Sequence, residues 1–578
     1  MARMERHIRK LISLLALAVP SFTCAPLVAS EASVAYFTRE RTQALPRLLS
    51  DTDQAFYRQL YADIGTKAWD RVEAALAARP DGPLHGAALA RYYLDPASPR
   101  IELPRLTDWL ARYPDLPQAT EIARVAITRG LTEAPRLPAA QQLRPQPGLT
   151  RRNRPRSVDD GTMPAQAASA INERITQDDP DGARLLLDGV DASLSSAARA
   201  EWRQKIAWSY YIENRDAEAL GQARTVAEGS SGPWVAEGAW VAGLAAWRLG
   251  DCREAAIGFA RANQSADVEL KAAANYWLSR SFIRCRQPAQ AALALRQAAR
   301  HDETLYGMLA IEQLGEAIPA DHARPDLTSQ DWGRLGRLAN ARKAVMLSEL
   351  GRRDDASELL RHQARIGSAQ DFPALARLAR ALGLPEAQRF MAYNAPRGAE
   401  PHPAARWPVT DRTPQNGWKV DPALAFAHAL QESSFRESVV SPANAIGLMQ
   451  VRPIAAREYA GRINLDARYA DLKDPATNLA LGQEALTALA SNPNTRGQLP
   501  KVIAAYNAGM TPVARWNSEI RDGGDPLLWM ESIPYWETRA YVNIVLRNYW
   551  MYLRQANAAA ASRLELAQNK WPSFPRER

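Results

Sequence analysis

One stretch of the sequence, residues 429–453 (ALQESSFRESVVSPANAIGLMQVRP), combines a residue suited to acid–base chemistry with a loop that could hold a ligand. Glu432 stands among apolar residues near the predicted end of a helix, and Ser441 and Gly447 follow in the loop. A carboxyl group at the negative end of a helix dipole, beside apolar side chains such as Phe435, should keep its proton toward neutral pH. The pattern therefore predicts that Glu432 is a general acid. The alternative is a surface glutamate at a helix end.

The helix that leads to Glu432 has a clear predicted start. Asp421 can cap the free amides of the first turn, and Pro422 takes the first helical position, where no amide hydrogen is needed. The buried stripe should consist of the apolar residues at i, i+3, i+4 and i+7, which are Ala423, Phe426, Ala427 and Leu430. Glu432 falls about half a turn away from that stripe, near the C-terminal end of the helix.

Three further motifs follow in the last third of the chain, at residues 474–482 (DPATNLALG), 505–509 (AYNAG) and 533–542 (IPYWETRAYV). Each motif alone is weakly specific. In this order and spacing, together with residues 429–453, they resemble the catalytic domain of the soluble lytic transglycosylases, enzymes with a lysozyme-like fold that cut the glycan strands of bacterial peptidoglycan. Residues 304–315 (TLYGMLAIEQLG) resemble the segment that connects this family's α-superhelix to its catalytic part.

The resemblance implies roles for individual residues. Glu432 matches the catalytic acid and base. The positions that match the saccharide groove are Ser441, Gln450, Tyr506 and Glu537. A hydroxyl, an amide and a phenol could hold the N-acetyl group and ring hydroxyls of a sugar. Alternatively, Gln450 and Tyr506 could brace the loop, and Glu537 could cap the helix that begins near Trp536. Asn478 and Gly482 are interpreted as residues of the fold.

The sequence departs from the family pattern at two positions of the loop. Asn444 stands where glycine is common, and Asn tolerates the left-handed conformation that glycine would supply. Arg452 stands where the family commonly has methionine, two residues after the glutamine. This arginine could recognise a stem-peptide carboxylate, or only shift the affinity of a subsite. Arg452 is therefore included among the predicted substrate-binding residues.

The long middle of the chain, from about residue 31 to residue 393, is rich in Ala, Leu and Arg, which predicts helices throughout. Three segments align at a spacing of 36 residues, with Tyr211, Trp247 and Ile283 equivalent, and likewise Ala219, Ala255 and Ala291. That period indicates helix pairs similar to tetratricopeptide repeats. Their aromatic residues could form a sugar-stacking surface, but packing between repeats is the simpler interpretation, and no ligand is assigned to them.

The predicted fold class is all-α, with an N-terminal α-superhelix of packed helix pairs and a C-terminal lysozyme-like helical domain. The predicted divisions are a signal peptide at 1–30, the superhelix at 31–395, the catalytic domain at 404–560 and a C-terminal tail at 561–578. A Pro- and Arg-rich segment at 134–156 lacks periodicity and predicts a mobile loop or linker, either solvated or in contact with acidic wall polymer. The prolines of 396–417 mark the boundary before the catalytic domain.

The first residues have the pattern of a secretory signal peptide. Basic residues precede a short apolar run at 11–19, which is too short to span a bilayer, and cleavage is predicted near Glu31. Lipidation of Cys24 is an alternative that the preceding residues fit poorly. The mature protein is therefore predicted to be periplasmic and without a membrane segment. Cys252 and Cys285 lie near one repeat apart and could form a disulfide, which the sequence leaves open.

The formal charge of +9, of which about +3 comes from the leader, suits weak attraction to an anionic polymer but is not a nucleic-acid signature. The sequence has no clustered His and Cys residues, so no metal site and no cofactor are predicted. The predicted partners are peptidoglycan glycan strands, with other cell-wall proteins as further candidates.

The predicted function is a peptidoglycan lytic transglycosylase that cleaves the MurNAc–GlcNAc β-1,4 bond and leaves 1,6-anhydroMurNAc ends. Glycosidases generally use a second carboxylate as nucleophile or base, and the matched motifs supply none. Glu437 is only five residues from Glu432, and Glu537 is assigned to the groove. One alternative is a hydrolytic muramidase of goose lysozyme type on the same fold. The other is a non-catalytic periplasmic scaffold whose repeats bind a partner.

Overall fold

The computed structural model describes residues 31–38, 45–319, 326–466, 468 and 470–575. Over these residues the chain is almost entirely α-helical, and its sheet consists of two three-residue strands. The all-α prediction, with helices throughout the middle of the chain, is confirmed. The predicted signal peptide at residues 1–30 lies outside the described residues. Within the described part, no helix is both long and apolar enough to cross a membrane.

The chain begins with α1 (Glu31–Thr38) and a first group of helices. These are α2 (Asp51–Gly65), α3 (Trp69–Ala78), α4 (His85–Leu94), α5 (Leu103–Arg112) and α6 (Ala119–Thr128). Ser50 caps α2, where its side chain accepts a hydrogen bond from the amide of Asp53. Trp109 on α5 is buried in the centre of this group.

A second group forms the helical repeats. Its helices are α7 (Ala165–Thr176), α8 (Pro180–Asp188), α9 (Ser196–Ile212), α10 (Asp216–Thr225), α11 (Pro233–Arg248), α12 (Cys252–Ala262), α13 (Val268–Arg284), α14 (Pro288–Ala299) and α15 (Leu305–Leu314). The pairs α9/α10, α11/α12 and α13/α14 match the predicted period. Tyr211, Trp247 and the three equivalent alanines are buried, whereas Ile283 is 61% exposed. The predicted 36-residue pattern of buried residues is thus present, except that Ile283 is exposed.

A disulfide joins two successive repeats. Cys252 is the first residue of α12 and Cys285 follows α13, and their Cα atoms are 5.6 Å apart across the bond. The bond that the sequence left open is therefore present, and it closes a loop between neighbouring pairs of the superhelix.

A third group of helices returns to the first. Its members are α16 (Ser329–Leu335), α17 (Ala339–Glu349), α18 (Arg353–Ile366), α19 (Phe372–Ala381) and α20 (Pro385–Tyr393). These helices share one hydrophobic core with α2–α6, although more than two hundred residues of chain separate them. Ion pairing of Arg91 with Asp355 and a 3.1 Å hydrogen bond from Gln118 to Glu358 reinforce the join.

The last group contains α21 (Pro422–Glu432), α22 (Pro453–Tyr459), α23 (Pro475–Ser491), α24 (Leu499–Ala508), α25 (Met510–Glu519), α26 (Pro526–Glu531), α27 (Trp536–Ala556) and α28 (Ala561–Ala567). It shares a second core with the repeats α7–α15. Helix α1 packs on α21 and α27, where the rings of Phe37 and Phe426 are 5.2 Å apart. Helix α28, within the predicted C-terminal tail, packs on α15 through an ion pair of Arg563 with Glu312.

The Pro- and Arg-rich segment is mostly irregular and exposed, as a solvated linker would be, but parts of it are held against the helices. Residues 143–145 form β1, which pairs antiparallel with β2 (Asn394–Pro396). Arg152 is buried and forms ion pairs with Glu237 on α11 and Glu531 on α26. The side chain of Arg547 on α27 donates hydrogen bonds to Thr150. The segment is an extended connection held between the repeats and the last group of helices, because its polar groups find partners on both.

Candidate active site

Helix α21 positions Glu432, and its start is built as predicted. Asp421 caps the helix by accepting a 2.9 Å hydrogen bond from the amide of Ala423. Its carboxylate also accepts hydrogen bonds from Ser33 on α1 and Tyr549 on α27, at 2.6 and 3.0 Å. The helix is therefore fixed at its N-terminus by both neighbours, and its side chains from Pro422 to Leu430 are all buried.

Glu432 is the last residue of α21, and its carboxylate faces Tyr541 on α27. The Tyr541 hydroxyl donates a 2.6 Å hydrogen bond to Oε1 of Glu432. Burial raises the pKa of Glu432 to about 7; the hydrogen bond from Tyr541 lowers it, and the negative charge of Glu537 raises it further. The direction of this shift is the one predicted from the sequence. A carboxyl group with such a pKa can both donate and accept a proton near neutral pH.

His428 lies one turn before Glu432 on the same helix and contacts the same tyrosine. Its Nδ1 is 2.8 Å from the Tyr541 hydroxyl, and its buried Nε2 has no hydrogen-bond partner in the described structure. Burial lowers the pKa of His428 to about 3, so its imidazole is neutral. While Tyr541 donates to an ionised Glu432, the Nδ1–H of His428 can donate to the tyrosine oxygen. The three side chains thus form a buried hydrogen-bonded chain.

Several residues between α21 and α22 hold left-handed backbone conformations, among them the two loop positions Asn444 and Gly447. Asn444 has a φ of 57° and Gly447 has a φ of 78°. A Cβ atom at Gly447 would lie 2.5 Å from Nδ2 of Asn478. Asn444 therefore supplies the conformation expected of it in place of glycine.

Asn478 on α23 fastens this loop to the helical core. Its buried amide donates 2.8 Å hydrogen bonds to the carbonyls of Ile446 and Leu472, and its oxygen accepts one of 2.8 Å from the amide of Met449. Gly482, one turn further on, leaves space for Met449, because a Cβ atom there would lie 2.3 Å from the methionine sulfur. Both residues act as fold residues in this structure.

Tyr506 on α24 lies beside the same carboxylate. Its ring is 4.7 Å from that of His428, and its hydroxyl donates a 2.8 Å hydrogen bond to the carbonyl of Met449. Burial raises the pKa of Tyr506 well above its usual value, and the charge of Glu432 adds to the shift. Tyr506 thus links the loop to the wall of the site, which is the bracing role weighed against substrate binding.

Gln450 and Ser441 are partly buried and hold the two ends of the loop. Nε2 of Gln450 donates to the carbonyls of Gly447 and Val439, at 2.9 and 3.3 Å. The Ser441 hydroxyl accepts a 3.0 Å hydrogen bond from the amide of Ala445. Both side chains therefore brace the backbone. These contacts do not use the hydroxyl hydrogen of Ser441 or the side-chain oxygen of Gln450.

The remaining predicted residues are exposed. Glu537 lies in the first turn of α27, where no side-chain cap forms, and its charge acts on Glu432. Arg452 occupies the N-cap position of α22 and forms no ion pair or hydrogen bond through its side chain within the described residues. Glu437 is paired with Arg412 at 3.0 Å. The structure thus brings Tyr506 and Glu537 to Glu432 but gives Arg452 and Ser441 no contact with it.

Sequence reasoning missed Tyr541 and His428. Both carry a positional signal, because His428 precedes Glu432 by four residues and Tyr541 follows Glu537 by four, so each pair shares one face of its helix. Glu537 was predicted as a groove residue, but Tyr541, one turn later on the same helix, was not.

Comparisons with known proteins place the similarity in this part of the chain. Residues 412–526 match the family model described as the transglycosylase SLT domain. The chain is 37% identical over 141 residues to a putative soluble lytic murein transglycosylase of Haemophilus influenzae, covering 24% of this chain and 23% of that protein. It is 33% identical over 133 residues to the soluble lytic murein transglycosylase of Escherichia coli K12, covering 23% and 20%. The sequence match thus spans less than a quarter of each relative.

The similarity of fold extends much further. The crystal structure of the 70 kDa soluble lytic transglycosylase of Escherichia coli superposes with a TM-score of 0.53 at 18% identity, over 91% of this chain and 99% of that one. At this identity the match shows the fold alone. The chain therefore has the fold of an α-superhelix joined to a lysozyme-like domain, and its residues 412–526 match the transglycosylase SLT domain.

Proposed function

We propose that this protein is a peptidoglycan lytic transglycosylase, which cleaves the MurNAc–GlcNAc β-1,4 bond and leaves 1,6-anhydroMurNAc ends. The observation that carries the proposal is the pairing of one partly buried carboxyl group, Glu432, with a tyrosine rather than with a second carboxylate. Glu437 is neutralised by Arg412, and Glu537 is exposed on α27. The match of residues 412–526 to the transglycosylase SLT domain supports the same class of substrate.

In the first step Glu432 donates its proton to the glycosidic oxygen. A pKa of about 7 leaves a substantial fraction of this carboxyl group protonated at neutral pH, as a general acid requires. As the proton leaves, Glu432 becomes an anion, and the hydrogen bond from Tyr541 stabilises it. Tyr541 therefore favours the charged form that exists after the bond breaks.

In the second step the ionised Glu432 accepts the proton of the sugar's own C6 hydroxyl as that oxygen attacks C1. The substrate's N-acetyl carbonyl can shield the positive charge that develops at C1. Because nucleophile and electrophile belong to one sugar, the attack is effectively unimolecular and competes well with water. The proton returns to Glu432, so the enzyme is restored without a second protein carboxylate.

The substrate-binding residues in this proposal are Ser441, Gln450, Tyr506, Glu537 and Arg452. Ser441 and Gln450 each keep a hydrogen-bonding function beyond those that brace the loop, and these functions can bind the N-acetyl group. Arg452 is exposed at the edge of the loop, where a stem-peptide carboxylate can approach it.

The proposed location is the periplasm, after removal of residues 1–30. The substrate partner is the peptidoglycan glycan strand, and other cell-wall proteins remain candidate partners. Recovery of the mature chain from a periplasmic extract, with its N-terminus near Glu31, is the expected result. An intact leader on protein in the cytoplasm would contradict it.

Digestion of purified cell wall by the full chain tests the function. We expect muropeptide products one water lighter than reducing ends, as mass spectrometry distinguishes them. Predominantly reducing MurNAc ends would identify a hydrolytic muramidase, because water rather than the C6 hydroxyl would then be the nucleophile. Failure of the correctly folded protein to release any product would favour the non-catalytic scaffold.

A further inference from the structure

A cavity of about 220 Å³ lies between the helical repeats and the start of α27. Residues of α7, α9 and α11 line it on one side, and Pro534, Trp536 and Arg539 line it on the other. None of the residues proposed to bind or cleave substrate is part of its wall. Trp536 and Arg539 lie on α27 beside Glu537 and Tyr541, so one helix contributes to the cavity and to the candidate active site.

The walls of this cavity are unusually rich in tryptophan. Trp208 and Trp234 come from the repeats, Trp240 forms part of the wall on α11, and Trp536 closes the opposite side. Trp208 and Trp536 are only partly buried, so their rings are accessible from the cavity. Flat aromatic faces of this kind pack well against the apolar face of a sugar ring.

Arg539 is a buried cation in this wall that forms no direct ion pair within the described residues. Its side chain is 5% exposed, and it forms no ion pair with any carboxylate of the described chain. Its Nη1 donates a 3.2 Å hydrogen bond to the carbonyl of Glu531, and its other guanidinium donors have no acceptor among the described residues. The neighbouring Arg152 takes both nearby carboxylates, those of Glu237 and Glu531.

The surroundings of Arg539 destabilise its charged form. Burial lowers the pKa of Arg539 to about 10 and the positive charge of Arg152 lowers it further, while the negative charges of Glu531 and Glu237 oppose the decrease. The guanidinium lies 4.1 Å from the ring centre of Trp208 and 4.8 Å from that of Trp536, which offsets part of this cost. A carboxylate in the cavity would offset it more fully, because an unpaired buried charge is strongly destabilising.

A second cation stands at the edge of the cavity. Arg154 is exposed and lines the opening, and Lys205, which also lines it, is paired with Glu201 at 2.7 Å. Glu237 also lines the cavity and is paired with Arg152, so Arg154 is the lining cation at the edge that no carboxylate of the described residues pairs with. Positive potential at the opening of a cleft attracts an anionic ligand before it binds.

We propose that this cavity is a second, non-catalytic binding site for an acidic amino sugar of the muramic acid class, whose carboxylate pairs with Arg539 while its ring packs on Trp208 and Trp536. The choice of sugar rests on the proposed function; the need for a carboxylate rests on Arg539. The cavity is smaller than the roughly 300 Å³ at which sites for drug-sized ligands begin, so it suits one sugar rather than a strand. Occupation of the site would hold a wall fragment against the start of α27.

Calorimetric titration of the full chain with three probes tests this site. N-acetylmuramic acid carries both ring and carboxylate, N-acetylglucosamine lacks the lactyl carboxylate, and lactate supplies a carboxylate without the ring. We expect binding of the acidic sugar, weakened by salt, and at least about fivefold weaker binding of the other two. Equal binding of the acidic and neutral sugars, or no binding of the acidic sugar at millimolar concentration, would overturn the proposal.

Two charge reversals locate the binding. Arg154→Glu at the opening should weaken N-acetylmuramic acid binding about fivefold, since it reverses an exposed charge. Arg151→Glu is the matched control, because Arg151 is also exposed in the same segment but does not line the cavity. If both variants bind the acidic sugar as the wild type does, the sugar occupies another site, such as the groove beside Glu432, and the proposal fails.

A third variant tests the buried cation itself. Arg539→Gln should reduce affinity for N-acetylmuramic acid more than tenfold, because it removes a charge-assisted pair while keeping a hydrogen-bond donor. If this variant does not fold, the comparison of Arg154→Glu with Arg151→Glu is sufficient to test the site. The proposed function is tested separately by digestion of cell wall, so loss of cleavage with intact sugar binding would overturn the function and leave the site in place.

Discussion

The hydroxyl of Tyr541 lies 2.6 Å from Oε1 of Glu432 and is also within 2.8 Å of Nδ1 of His428. This contact crosses from α27 to α21, the two helices that pack together in the last group. It opposes the effect of burial, because it stabilises the ionised carboxylate while burial stabilises the acid. The pKa of Glu432 therefore results from burial and the charge of Glu537, which raise it, and the hydrogen bond from Tyr541, which lowers it.

Replacing Tyr541 with phenylalanine should raise the pKa of Glu432 further. The hydrogen bond that lowers this pKa is lost, while burial and the charge of Glu537 remain. A hydrogen bond to a charged group contributes about 1.5 to 3 kcal/mol, so a rise of about one pH unit or more is expected. The alkaline limb of the pH–rate profile for wall cleavage should move upward by that amount. Tyr535→Phe is the matched control, because Tyr535 is exposed; an unshifted limb in Tyr541→Phe would contradict the assignment.

Replacing Glu432 with glutamine should abolish cleavage while the fold is retained. Glutamine keeps the shape and a hydrogen-bonding group but cannot transfer a proton, so the rate should fall by at least about a hundredfold. Release of soluble muropeptides from purified wall measures the change. Glu437→Gln, which removes a carboxylate paired with Arg412, should keep a rate close to that of the wild type. Near-normal rates in Glu432→Gln would refute its catalytic role.

The same substitution should change stability in a pH-dependent way. The pKa of Glu432 is about 7 in the folded chain against 4.5 for a glutamate free in water, so folding favours its protonated form. The stability that the protonated group contributes is fully present below about pH 4.5 and is lost as pH rises through 7. Glu432→Gln should therefore match the wild type near pH 4 and be more stable at pH 8, by up to roughly 3 kcal/mol. Thermal melts at the two pH values measure this; equal differences at both would contradict the pKa shift.

The sequence predicted the parts of this structure that depend on local pattern. The cap at Asp421, the buried stripe of α21, the helical period and the burial of Glu432 all follow from spacing that a single segment contains. Other features depend on contacts between distant segments. The joining of α2–α6 to α16–α20, and the hydrogen bond from Tyr541 to Glu432, connect residues separated by more than a hundred positions.

The Pro- and Arg-rich segment shows why such contacts escape sequence reasoning. Most of this basic stretch is exposed, whereas only 10% of the Arg152 side chain is exposed, because it pairs with Glu237 and Glu531. Those two glutamates come from different helical groups, and nothing in either local sequence marks them as partners of Arg152. The fold class was thus predictable, whereas the route of the chain between its two cores was not.

Replacing Asn478 with alanine should loosen the loop that follows α21. The side chain satisfies three backbone groups, of Ile446, Met449 and Leu472, and its removal leaves them without partners in a buried setting. Each unsatisfied buried group costs about 1–3 kcal/mol, so a clear loss of stability is expected together with reduced cleavage. Urea unfolding measures the first and wall digestion the second. The exposed Asn494 offers the control Asn494→Ala, which should leave both unchanged; equal losses in the two variants would contradict the bracing role.

Arg452 provides the test of substrate preference. Its side chain makes no ion pair or hydrogen bond with the rest of the described chain, so Arg452→Met should leave the thermal midpoint unchanged. If Arg452 binds a stem-peptide carboxylate, the same variant should raise KM for peptide-bearing glycan strands by about threefold to fivefold, since an exposed ion pair contributes about 1 kcal/mol or less. Strands from which an amidase has removed the peptides should be cleaved equally by both proteins.

Arg457→Met, on the exposed face of α22, is the matched control and should affect neither substrate. High salt should reduce the difference between wild type and Arg452→Met, because exposed charges are screened. An equal change in KM for both kinds of strand would show that Arg452 acts on the sugar subsite rather than on the peptide.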